Sequence, residues 1–212
     1  MIAAQRPDDA PILHTIFSPL TVARKLAGER VNEDLRTHPD AVRPALEAIT
    51  RTLERYAMAA LEAGADGLFL ATQAATPEAF TGEESAQFDE PGLGRILQGV
   101  GNRSTFTLLH VHGKDIYFDR LAALPAHAIN WHDRVTAPSL GEAKRRFTGA
   151  LVGGLAEWST LRRGPVAAIA AEVDDAIRQT DGVGLIVAPG CVLPLDVPPQ
   201  NLEAVLTAVR SR

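Results

Sequence analysis

Two histidines one residue apart close the apolar run Thr105-Phe-Thr-Leu-Leu-His-Val-His-Gly113. The run is β-branched and aromatic and ends on glycine, so it reads as a buried strand entering a turn. Side chains two apart on a strand share a face, so the imidazoles of His110 and His112 converge on one point. Such a pair either ligates a metal or hydrogen-bonds within a pocket. Other strand-like runs end in the same way, on Thr72-Gln73, Asn130 with His132-Asp133, Gly153-Gly154 and Gly190-Cys191. His132 and Asp133 can act as a general acid/base pair or support a metal ligand, unless Asp133 only caps a turn or pairs with Arg134. Thr72, Gln73 and Asn130 are expected to line a substrate pocket. Gly153 and Gly154 allow backbone N–H groups to approach an anionic substrate group, although tight strand–helix packing explains them as well. Cys191 taken alone reads as a small buried hydrophobe. His14 and His127 fall inside strands and read as structural, and Trp131 and Trp158 as wall or core.

The elements that position these residues alternate. Strands are predicted over residues 11–17, 66–71, 105–112, 127–131, 150–154 and 182–188. Helices are predicted over 20–27, 39–63, 91–100, 116–124, 138–147, 165–179 and 198–209. In the longest helix, Val42, Leu46, Ile49, Leu53, Tyr56 and Ala60 mark one face, and Gly64 stops it. Strand, loop and helix thus recur six times, which argues for parallel βα units in an open doubly wound sheet or a (β/α) barrel. Both place active sites at the C-terminal ends of strands, where the polar residues fall. No Gly-x-Gly-x-x-Gly follows a strand and no Walker-type loop is present, so the barrel is the expected fold.

Bulk properties bound the function. The 212 residues suit one domain with a substantial core. A net charge of −5 without a basic run argues against nucleic acid. No apolar run approaches the ~20 residues that span a bilayer. Residues 1–9 carry no signal-peptide pattern. A single cysteine, Cys191, excludes an internal disulfide framework and fits a reducing cytoplasm, so a cytoplasmic location is expected.

With these residues in view, the chain resembles the uroporphyrinogen decarboxylase superfamily. The resemblance rests on Phe17-Ser-Pro-Leu-Thr21, Gly64-Ala-Asp-Gly67, Leu109-His-Val-His-Gly113, Ile129-Asn-Trp-His-Asp133, Val152-Gly-Gly-Leu155, Leu185-Ile-Val-Ala-Pro-Gly-Cys191 and Pro198-Pro-Gln-Asn-Leu202. It implies an α/β TIM barrel of the (β/α)8 type. Family members are longer, so an incomplete barrel of about six βα units, lacking the N-terminal strands, is expected over residues 1–212. The decarboxylase's N-terminal Arg-rich motif has no counterpart, and its Gly-His-Gly falls on Pro189-Gly190-Cys191. The zinc-dependent corrinoid-to-thiol methyltransferase branch matches better. Its His-x-Cys and Gly-Cys ligands fall on His110, His112 and Cys191, with an imidazole replacing one thiolate.

The resemblance therefore implies zinc at His110, His112 and Cys191, with a fourth position open to a substrate thiol. The expected reaction is metal-assisted methyl transfer to that thiol, with a corrinoid protein as partner. A cofactor-free uroporphyrinogen decarboxylase acting on a tetrapyrrole is the alternative. A third reading is a non-catalytic barrel acting as a subunit or binding module, because unpaired sheet edges recruit a homodimer or heteromer partner.

Overall fold

The six apolar runs become six parallel strands in a computed structural model, which describes residues 5, 6 and 10–212. They are β1 (Leu13–Phe17), β2 (Gly67–Thr72), β3 (Phe106–Val111), β4 (Ala128–Trp131), β5 (Ala150–Leu155) and β6 (Leu185–Pro189). Each strand lies beside its chain neighbours, in the order β1-β2-β3-β4-β5-β6. A doubly wound sheet reverses its order at a switch point, and no reversal occurs here. The sequential order is that of a (β/α) barrel wall. Among the described residues β1 and β6 have one strand neighbour each, so the wall is an open arc, an incomplete barrel. The signal-pattern reading of residues 1–9 lies largely outside the described residues. No helix among those described is long and apolar enough to cross a membrane.

The helices are α1 (Pro19–Ala27), α2 (Arg30–Thr37), α3 (Pro39–Glu62), α4 (Gly82–Phe88), α5 (Glu90–Val100), α6 (Phe118–Leu121), α7 (Leu140–Ala143), α8 (Val166–Thr180) and α9 (Pro199–Arg210). Two differ from expectation by existing at all. In α2 only Val31 and Leu35 are buried, too sparse a stripe to stand out in eight residues. In α4 the signal is its capping box, in which Thr81 and Glu84 satisfy each other's backbone N–H groups. Two others are shorter than predicted. After α6 and α7 the chain tightens to three-residue bonds, Leu124 N to Leu121 O at 3.1 Å and Arg146 N to Ala143 O at 2.9 Å.

Strand parity divides the sheet's residues between two environments. Leu68, Leu70, Leu109, Val111, Ile129, Trp131 and Leu151 pack beneath the helices with Leu93, Ile96 and Leu97 of α5. The opposite parity forms the concave inner face, with Leu108, Ala128 and Val152 at its buried base. Trp131 is fully buried and its indole N–H donates to Pro138 O at 2.9 Å. Trp158 differs from expectation. It is 59% exposed, on the turn after β5, with the Arg162 guanidinium over its ring.

The loop after β1 is pinned to the end of β2 by one buried carboxylate. Asp89 accepts from Leu20 N at 2.9 Å and from the Thr72 hydroxyl at 2.7 Å, with Ser18 donating to Thr72 Oγ1 at 3.3 Å. Burial pushes the Asp89 carboxyl up to about 6, against the pull of these donors. A carboxyl raised in the folded state binds more protons folded than unfolded, so its contribution to stability falls as pH rises from about 4 to about 6. The total is on the order of 3 kcal/mol. Asp89→Asn never ionises. The difference in melting temperature between Asp89→Asn and wild type is therefore expected to shift in favour of the variant across that pH range. A constant difference would show that Asp89 does not titrate there.

Candidate metal centre

The lateral register brings Ala71 of β2, His110 of β3, Asn130 of β4 and Val152 of β5 into one row on the inner face. Asn130 is 3% exposed, and its amide nitrogen donates to Val152 O at 2.8 Å and Pro189 O at 3.1 Å. With both N–H bonds directed at carbonyls, Asn130 Oδ1 is left to accept, and His110 Nδ1 lies 2.6 Å from it. A ring proton on His110 Nδ1 satisfies that oxygen, and Nε2 faces the interior. This is the usual way in which an outer amide or carboxylate orients a ligating imidazole. Phe69 stacks on the other side of the ring, centroids 5.5 Å apart.

Cys191 completes the cluster from the loop after β6. Its Sγ lies 3.7 Å from both His110 Nε2 and His112 Nδ1. One donor atom from each of the three residues falls within 4.8 Å of the other two, a separation suited to a single ion. The sequence spacing could not show that Cys191 meets the histidines; the fold brings them together. The three imidazoles around the thiol, His110 foremost and then His112 and His132, bring Cys191 down to about 4. A lowered thiol favours the thiolate, the form in which cysteine binds a metal. Two imidazoles and a thiolate form a donor set that suits zinc.

His132 stands at the rim. Its Nε2 is 3.4 Å from His112 Nδ1 and its Nδ1 is 2.9 Å from Glu157 Oε1. Cys191 first, and then Glu157, push the His132 imidazole up to about 9. Although burial opposes it, the His132 contact holds the Glu157 carboxyl below its usual range. His132 is thus paired with Glu157, not with Asp133. Asp133 Oδ1 accepts from Gly154 N at 3.0 Å, and burial pushes its carboxyl up to about 6. Arg134 Nε is 3.7 Å away, close to the turn-and-ion-pair reading of Asp133.

The remaining candidates separate. Gln73 lines a cavity of about 600 Å³ on the inner face, together with His110, His112, Asn130 and Cys191. Thr72 has the opposite strand parity, so its hydroxyl is buried on Asp89 and does not line that cavity. Gly153 and Gly154 turn away from it as well. A Cβ on Gly153 would lie 2.5 Å from Asp133 Oδ1, and one on Gly154, at φ +103°, would lie 2.6 Å from Ala176 Cβ of α8. Close packing explains the pair, and the Gly154 amide serves Asp133. His14 and His127 are structural, bonded to Tyr56 Oη at 2.9 Å and to Thr107 N at 2.9 Å. Glu157 escaped the sequence reading, although an acid two residues past the end of β5 is itself a signal.

The family model for uroporphyrinogen decarboxylase (URO-D) matches residues 1–212. The chain belongs to this family. Among curated proteins it is similar to the methylcobamide:CoM methyltransferase MtaA of Methanosarcina barkeri strain Fusaro, 27% identical over 203 residues that cover 94% of the chain and 58% of the relative. A second Methanosarcina barkeri MtaA is 26% identical over the same shares. The chain thus spans little more than half the length of these URO-D-family relatives. Among solved structures, a methyltransferase from Methanosarcina mazei superposes with a TM-score of 0.88 at 27% identity, covering 99% of this chain and 61% of that one. A putative vitamin-B12-independent methionine synthase from Listeria monocytogenes, at 14% identity and a TM-score of 0.65, covers 97% and 65% and shows a shared fold.

A thiolate already formed at pH 6 alkylates as fast there as at pH 8. In chelator-stripped protein, the iodoacetamide rate at Cys191 is expected to be nearly flat from pH 6 to 8, whereas an ordinary thiol gains roughly tenfold per pH unit below its pKa. A tenfold rise per unit would show that the imidazoles do not hold the thiolate.

Proposed function

We propose that this chain carries the thiol-activating centre of a corrinoid-dependent methyltransferase, with zinc held by His110, His112 and Cys191. The observation that carries the reading is the convergence of those three donors, from the ends of β3 and β6, at the rim of an inner cavity. Bound zinc supplies positive charge that keeps a substrate thiol as its thiolate near pH 7. The chain's own residues do the rest. Asn130 orients His110 toward the metal position, and Phe17, Phe69 and Leu108 make the cavity wall largely apolar. The thiolate attacks a corrinoid-bound methyl group. A carbon–sulfur bond forms as the cobalt–carbon bond breaks, and the corrinoid leaves with the electron pair. Methyl donor and acceptor follow the activity of the MtaA relatives, a methylcobamide and a thiol of the CoM kind.

The wall offers little to a tetrapyrrole. No arginine or lysine lines the described cavity, and the several carboxylates of a porphyrinogen require cations. The reading places the chain inside the cell, beside a corrinoid protein as partner.

Elemental analysis of the untagged protein is expected to find about one zinc per chain, lost in both His112→Ala and Cys191→Ala. The wild type is then expected to methylate a small thiol from methylcobalamin, and both variants to lose that turnover. Folded wild type without metal would sink the reading.

A further inference from the structure

Glu157 is a buried carboxylate beside the centre, 3% exposed, on a single π-helical turn (Glu157–Leu161) after β5. Such turns are rare and fall frequently at functional sites. Its two oxygens serve two different strand ends. Oε1 accepts from His132 Nδ1 at 2.9 Å, just past β4. Oε2 accepts from the Gly190 backbone N–H at 3.2 Å, a proton it shares with Leu155 O at 3.3 Å, just past β6 and one residue before Cys191. Gly190 is confined there, since an added Cβ would lie 2.7 Å from His132 Cα and 3.0 Å from Trp131 O. The turn bearing Cys191 is therefore clamped between the β4 terminus and Glu157, with no slack on either side.

We infer that Glu157 is the positioning residue of the centre: it holds the Cys191 turn within reach of His110 and His112, and orients His132 so that Nε2 faces the same point. The inference rests on the metal reading above only for its consequence in affinity; the clamp itself is a property of the protein. Both bonds require an acceptor. Glutamine keeps the shape but offers one acceptor oxygen and one N–H₂ group, so Glu157→Gln satisfies either His132 or Gly190 and opposes the other. Asp133 and Glu172 do not substitute, being engaged with Gly154 N and with Ala156 N and Thr160 Oγ1.

The test compares wild type, Glu157→Gln and Glu157→Asp by Co(II) titration against a competing chelator, by the visible spectrum of the Co(II) form, and by amide hydrogen exchange of the metal-free protein. In Glu157→Gln, Co(II) affinity is expected to fall 10–100-fold and the sulfur-to-cobalt band to shift, as happens when outer support of a ligand is lost. Gly190 exchange is expected to quicken several-fold, Leu155 O remaining as its second acceptor, while the amides of β3 and β5 keep their protection. Glu157→Asp, which keeps both acceptors on a shorter stem, is expected to recover part of both. Unchanged affinity, spectrum and Gly190 exchange in Glu157→Gln would overturn the inference, and so would a loss of protection spread evenly over the whole sheet. Wild type that takes up no Co(II) would end the metal reading instead; Gly190 exchange in the metal-free proteins then decides the clamp alone.

Discussion

The Asn130 side chain is the point on which the centre depends. Its amide nitrogen is held by carbonyls of β5 and β6, and its oxygen by a ring nitrogen of β3. One buried side chain on β4 thus ties four consecutive strands at the level where the donors converge. Because an amide has one acceptor and two donors, using both donors leaves a single role for the oxygen. The orientation of the His110 ring follows from that role. A leucine of similar size would fill the space and leave two carbonyls and an imidazole to find other partners.

Around this point the fold separates packing from chemistry by strand parity. Side chains pointing outward meet α5 and its neighbours in a dry, close-packed layer. Side chains pointing inward cannot all meet helices, so the inner face can carry polar groups beside a largely apolar cavity. Thr72 and Gln73 illustrate the division, since adjacent residues end on a buried carboxylate and on the cavity wall. Parallel strands all end at the same rim, and donors distant in sequence therefore meet there.

Charge at the rim is arranged in an alternating chain. The Cys191 thiolate, the His132 imidazolium and the Glu157 carboxylate each stabilise the ionised form of the next. Burial disfavours each charge separately, so the arrangement holds only while all three are in contact. The same logic separates Asp133 and Asp89. Both are buried against neutral donors with weak or no cationic pairing, and both carboxyls are pushed up.

The alternation of strands and helices and the convergence of His110 and His112 are legible in the sequence alone. Those properties follow from local periodicity: side chains two apart on a strand share a face wherever the strand sits. The short helices α2 and α4 were hidden because two apolar residues, or one capping box, make too weak a local signal. Motif register pointed to Cys191, but only the tertiary structure placed its sulfur 3.7 Å from two imidazoles 79 and 81 residues away. Only the fold, too, moved Thr72 off the cavity, gave the Gly154 amide to Asp133, and paired His132 with Glu157. Parity says which face a residue takes. It does not say which loop from another strand will arrive opposite, because that depends on the closure of the whole sheet.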